Sequence, residues 1–296
     1  MIFYEDPEEQ KGSLKVRVFR NIMLGWAMFI ALFGVGVVSL LILFPPGEAI
    51  YRSITGDSCE SGTTHNSAID VGDATVLRIA GDRGDLSVEG RNGPAAVQIE
   101  GRPCASRVSK RHLDSIVLNT SRNGDEIIVT VDMPRGVDDI RMDVRIFVPN
   151  NLPRVEITNS DGPVFVSNVR ELQAAIGYGS LDAMRIDGNV SVLELEGSMS
   201  LIDIEGDVAV ESIRGYGQVD LTGIGGSVVI AENESGPARI SDVLGNVTIG
   251  SAGFGHLNVM NVAGNLSVQE NPGGHITLDG VIGSVRIPGS EERPDT

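Results

Sequence analysis

The chain holds two thiols, Cys59 and Cys104, 45 positions apart. In an oxidising compartment two cysteines most simply form one disulfide, and closing a loop of that size is worth ~4 kcal/mol on the chain-entropy model. A catalytic thiol would instead need a positioned imidazole as its base. His65 and His112 are near in sequence, but no signature pairs them with either sulfur. A zinc ion takes about four ligands at characteristic spacing, which two cysteines and scattered histidines do not supply. Carboxylates are the second resource: Asp182, Asp187, Asp203, Glu205, Asp207, Asp220 and Asp242. Two of them brought together could hydrolyse a glycoside, whereas one or two acids per turn is the ordinary pattern of solvated corners. The third resource is aromatic. Tyr178, Tyr216 and Phe254 each stand between two glycines and recur every 38 residues. Such rings either form a strip on which sugars or bases stack or cover a glycine-rich corner, and we read them as covers. No GxSxG, HExxH, GxxxxGK[ST], spaced Cys/His cluster or calcium-binding GGxGxDxUx nonapeptide occurs. No catalytic, cofactor-binding or metal-ligating residues are therefore expected.

The elements that would position these groups come from a repeat. Gly188, Gly206, Gly226, Gly245, Gly264 and Gly283 are separated by 18, 20, 19, 19 and 19 residues. A fixed period near 20 is the mark of a solenoid. Each glycine is followed by Asn189, Asp207, Ser227, Asn246, Asn265 or Ser284. Glycine can take a positive φ, and these side chains can bond the local backbone, so each pair predicts a tight corner. Alternating aliphatic pairs follow, such as Val190/Val192 and Val228/Ile230, as in a strand with one face buried. Nine residues before each corner lies another glycine: Gly179, Gly197, Gly217, Gly236, Gly255 or Gly274. A second strand fits the interval, and stacked coils would bury like residues in ladders. Gly84-Asp85-Leu86-Ser87-Val88 repeats the same grammar more loosely. We read the stretch before the regular repeat as capping the open end of the stack.

From Asn21 to Phe44 no residue is charged. Twenty-four residues at about 1.5 Å each span roughly 36 Å, enough to cross a ~30 Å hydrocarbon layer with some tilt. Lys11, Lys15, Arg17 and Arg20 precede the span, which predicts a cytoplasmic N-terminus and an outer domain beyond Gly47. A signal peptide has a shorter apolar core and a small-residue cleavage site, so the span is read as uncleaved. The 296-residue chain carries a formal charge of −17, 37 glycines and only 4% aromatic residues. Four acids and four bases cancel within the first 20 residues, so the whole excess falls outside the membrane. A surface that acidic repels phosphate, and nucleic acid is not an expected partner.

The glycine-aliphatic grammar resembles the bacterial putative-adhesin family with β-strand repeats, a domain of unknown function related to the head-GIN adhesins. The residues that carry the resemblance are Gly84 to Gly90, Gly101 to Ser106, the Val148-Pro149 step and the G-[D/N/S]-[V/L]-x-[V/I] repeats, from about Cys59 to Ile287. It implies an extracytoplasmic β-solenoid with a surface or envelope role and supplies no catalytic residues. Where such repeats often read Gly-Ser-Gly-Asp before the second strand, this chain has Gly-Tyr-Gly, Ser-Gly-Pro or Pro-Gly-Gly.

The expected class is all-β: a single-strand β-solenoid, a β-helix of ~19-residue rungs, preceded by one N-terminal transmembrane α-helix. The expected organisation is a cytoplasmic tail (1–20), the span (21–44), a tether (45–73), an irregular β cap (74–150), the solenoid (151–288) and a polar tail (289–296). The expected role is a non-enzymatic envelope scaffold or adhesion surface in the bacterial inner membrane, its β domain periplasmic or otherwise extracytoplasmic. Its partners would be the bilayer, through residues 21–44, and an envelope protein or polysaccharide. The alternatives are a carbohydrate-active enzyme on a short β-helix and a signalling protein acting through the tail.

Overall fold

The computed structural model describes residues 60–106, 109–137, 139–234 and 236–288. The tail, the span 21–44, the tether as far as Cys59 and the polar tail 289–296 lie outside them. Among the described residues no helix is long and apolar enough to cross a membrane.

The described chain is all-β, with one short 3₁₀ turn at Lys110–Ser115. Each regular rung gives one strand segment to each of two parallel stacks. In the first stack Val190 pairs with Val208, Val208 with Val228, Val228 with Val247 and Val247 with Leu266. In the second, Met199 pairs with Val219, Val219 with Ala238, Ala238 with Leu257 and Leu257 with Ile276. The alternating aliphatics point inward, and the ladder from Val190 to Leu266 is buried throughout. Small aliphatics are what a coil this thin can hold. One large core joins all rungs, from Val71 to Val268.

The corner glycines serve a different purpose from the one the sequence suggests. None of Gly188, Gly206, Gly226, Gly245, Gly264 or Gly283 has a positive φ. The backbones of successive corners instead come so close that a side chain would not fit. A Cβ on Gly226 would lie 2.6 Å from the Gly206 carbonyl oxygen, and one on Gly264 would lie 2.4 Å from that of Gly245. From Asn189 to Asn265 the polar residue after each glycine bonds the next rung, not its own corner. Asn189 Oδ1 accepts from the Asp207 amide (2.9 Å), Asp207 Oδ1 from the Ser227 amide (2.7 Å) and Asn246 Oδ1 from the Asn265 amide (2.8 Å). This ladder fixes the rung-to-rung register.

The earlier part of the chain is stacked out of sequence order. Val76–Arg83 pairs in parallel with Glu126–Asp132 on one side and Arg154–Asp161 on the other. Leu86–Arg91 likewise lies between Ile140–Pro149 and Val164–Ser167. Val76–Arg91 is therefore a rung of the coil, within the segment expected to be an irregular β cap with a looser form of the repeat. Capping falls to antiparallel strands: Val117–Asn123 against Glu126–Asp132, and His65–Asp70 with Ala96–Ala105 beyond Ile140–Pro149. At the far end Ile276, Leu278 and Val281 are only partly covered.

Candidate functional site

Between the second strand of a rung and the next corner, one residue per rung adopts the left-handed conformation. The column reads Asn168, Arg185, Asp203, Gly223, Asp242, Asn261 and Gly280, with φ between 53° and 72°. The kink lets the next residue, such as Ile204 or Val243, turn inward. Asn, Asp and Gly tolerate this conformation, and Arg does not do so readily. The sequence did carry a signal: an Asp, Asn or Gly lies three positions before every corner glycine from Gly206 onward, and Arg185 breaks the pattern.

Along this column runs a groove of about 600 Å³. Arg185 is its one base, Asp187, Asp203, Glu205 and Asp242 are its acids, and Asn150, Asn168 and Leu244 also line it. Arg185 Nε donates to Asn168 Oδ1 at 2.7 Å, and Asn261 Nδ2 donates to Asp242 Oδ1 at 2.9 Å. Four of the seven singled-out carboxylates thus share one groove. Asp207 belongs to the corner ladder, and Asp182 and Asp220 lie on the outer strand face in register with Ser200 between them. Burial, opposed by a hydrogen bond from Ser180, pushes the Asp182 carboxyl above its ordinary value. Burial and the neighbouring Asp143 do the same to Asp85, against the pull of Arg141. Among the described residues no group of three His, Cys, Asp or Glu is arranged to hold a metal ion.

The other corner, where a rung's first strand passes to its second, carries the aromatic residues. Tyr178 is 63% exposed, Tyr216 87% and Phe254 69%, an unusual degree for large rings. Each directly precedes a glycine of a second close-packed column. A Cβ on Gly179 would lie 2.2 Å from the Gly162 carbonyl oxygen, one on Gly217 1.9 Å from that of Gly197, and one on Gly255 2.0 Å from that of Gly236. The rings are thereby held on a line, two rungs apart. Tyr178 is in register with Asp161 on one side and Glu196 on the other, so the rings do not meet. Phe254 does cover a glycine corner, because a Cβ on Gly273 would touch its Cδ1 at 3.0 Å. Rungs without a ring close this corner otherwise. Asn233 Nδ2 donates to the Gly236 carbonyl (2.9 Å) and Asn271 Nδ2 to that of Gly274 (2.7 Å), and buried Asn159 bonds the carbonyls of Asp161 and Gly162. His256 and His275, which follow the ladder glycines, pair at 5.2 Å between ring centroids.

Cys104 is buried and disulfide-bonded, on a strand whose neighbour begins at Glu60. Its expected partner, Cys59, lies outside the described residues.

No family model matches the chain, and no curated protein matches it. Several solved structures are similar at low identity. A "putative adhesin" of Bacteroides fragilis is 11% identical over 76% of this chain and 97% of its own, with a TM-score of 0.45. A "putative cell adhesion protein" of Clostridium sporogenes is 11% identical over 76% and 98%, with a TM-score of 0.26. A "putative lipid binding protein" of Parabacteroides distasonis is 15% identical over 76% and 96%, with a TM-score of 0.36.

Proposed function

We propose that the protein is a non-enzymatic binding surface of the cell envelope, anchored by residues 21–44 and presenting its coil outside the inner membrane. The observation that carries the reading is the placement of the ligand-capable side chains. Tyr178, Tyr216 and Phe254 stand exposed on an edge whose backbone is held rung by rung. The groove that collects Asp187, Asp203, Glu205 and Asp242 is not lined by any of the three rings. A glycosidase needs two carboxylates flanking a sugar held in place, and stacking rings are the usual holders. Here the rings and those four groove carboxylates are separate.

The test uses the full-length protein in detergent or nanodiscs, incubated with envelope polysaccharides. Retention on polysaccharide without release of reducing ends is the expected result. Steady release of reducing ends that Asp203→Asn or Glu205→Gln abolishes would overturn the non-enzymatic reading. Protease protection in spheroplasts checks the topology: cleavage of the β domain is expected from the periplasmic side only.

A further inference from the structure

We propose that Tyr178, Tyr216 and Phe254 form a platform for a linear β-1,4-linked glycan of uncharged sugars, one ring per disaccharide; this rests on the binding-surface reading above. Strands stack about 4.8 Å apart, so rings two rungs apart repeat every ~10 Å. A β-1,4 linkage turns each sugar over relative to the last. The chain therefore presents the same sugar face once per disaccharide, over a closely similar distance. A platform of that period meets every second sugar in the same way.

Three observations support the match. First, the ring always directly precedes the ladder glycine, although the Ile213–Gly217 corner is one residue longer than the Ile176–Gly179 and Ala252–Gly255 corners. The insertion is absorbed after Arg214, which pairs with Glu196, and Gly217 after the ring keeps its place over Gly197. Second, the equivalent residue of the rung between Tyr178 and Tyr216 is the acid Glu196, and Gly273 stands in the rung beyond Phe254. Glu196 can accept hydrogen bonds from sugar hydroxyls, and the Phe254 ring rests over Gly273. Third, the core does not need these rings. Tyr216 is 87% exposed, and the inward position of its corner is filled by Ile213. The chain's charge of −17 disfavours anionic polymers, which leaves uncharged sugars as the fitting class.

The test measures binding of cellohexaose and chitohexaose to the full-length protein by calorimetry, with a β-1,3-linked hexasaccharide as control. Binding of a β-1,4 hexamer, at least ~tenfold tighter than the corresponding dimer, is expected from three linked contacts. Tyr216→Ala should weaken it by ~tenfold or more. The decisive variant combines Glu196→Tyr with Tyr216→Ala, which keeps three rings and breaks their period; it should bind no better than Tyr216→Ala alone. Unchanged melting and circular dichroism separate lost binding from lost fold. Hexamer binding that survives both variants, or preference for the β-1,3 control, overturns the platform. Retention of envelope polysaccharide by a chain that binds neither hexamer overturns the platform and leaves the binding surface intact. No retention of any polysaccharide overturns both.

Discussion

Gly217 and Gly223 are six residues apart in one rung and are glycines for opposite reasons. Gly217 sits in the ladder under the exposed rings, where a Cβ would lie 1.9 Å from the backbone of the rung below. Its restraint is packing, and no rearrangement of side chains relieves it. Gly223 sits in the left-handed column beside the groove, with φ 72°, and a Cβ there would meet the Asp203 carboxylate at 3.0 Å. Its restraint is conformational, and Asp, Asn and one Arg satisfy it in other rungs. One edge of the coil is thus closed to variation at its base and free at the residue before it. The other accepts variation within the column itself. A rigid baseline that carries protruding rings suits spacing. A permissive column beside a groove suits chemical variety.

The sharpest way to break this comparison is to add the same methyl group at both glycines. Gly217→Ala should cost about 3 kcal/mol or more, since overpacking against backbone has no cheap relaxation. At about 2–4 °C per kcal/mol for a domain of this size, its thermal midpoint should fall by roughly 6–12 °C. Gly223→Ala should cost only about 1–2 kcal/mol, the ordinary penalty for an L-residue in the left-handed region. Equal losses in thermal melts would show that the two columns are not different in kind.

Asn233→Ala should be next in size, at about 1–2 kcal/mol, because the Gly236 carbonyl loses its buried donor. The corresponding loss at a ring-tipped corner, Tyr216→Ala, should be near zero in urea unfolding. Arg185→Asn should stabilise by about 0.5–1 kcal/mol, because Asn enters the left-handed region more easily. If it destabilises, the Arg185–Asn168 bond matters more than the backbone.

The smallest expected effect is electrostatic. The folded state raises the Asp182 carboxyl above its ordinary value of 3.8, mainly through burial. The protonated form therefore favours folding. The stability tied to this group is full below 3.8 and is lost as pH rises through the higher folded value. Asp182→Asn should raise the melting temperature slightly at neutral pH and leave it unchanged well below pH 3.8. A larger gain at acid pH would reverse the assignment.

The winding was legible because its causes are local and repeated. The glycine interval, the aliphatic alternation and the Asn, Asp or Ser after each corner all read correctly as a coil of two-strand rungs. What those residues do was less legible. The glycines read as left-handed corners because that is the common use of glycine, whereas close approach between rungs leaves no trace within one rung. The Asn189 and Asp207 side chains bond forward by one rung for the same reason. The left-handed column could have been found from Asp203, Gly223, Asp242, Asn261 and Gly280. The groove could not, because it is made by stacking residues that are 18–20 positions apart. The insertion of Val76–Arg91 between later segments was also hidden, although the Gly84–Val88 motif marked it as a rung.

That insertion has a consequence for how the molecule is assembled. Val76–Arg83 must wait for Glu126–Asp132 before it gains its first parallel neighbour and for Arg154–Asp161 before it gains its second. Both closures are long, so the pairings of highest sequence separation fall at the start of the coil. After that each rung needs only the one before it, and growth proceeds in short, similar steps. The entropic cost of loop closure is therefore concentrated at the N-terminal end of the coil. The coil's length is set by how many repeats the gene encodes, independently of the structure that starts it.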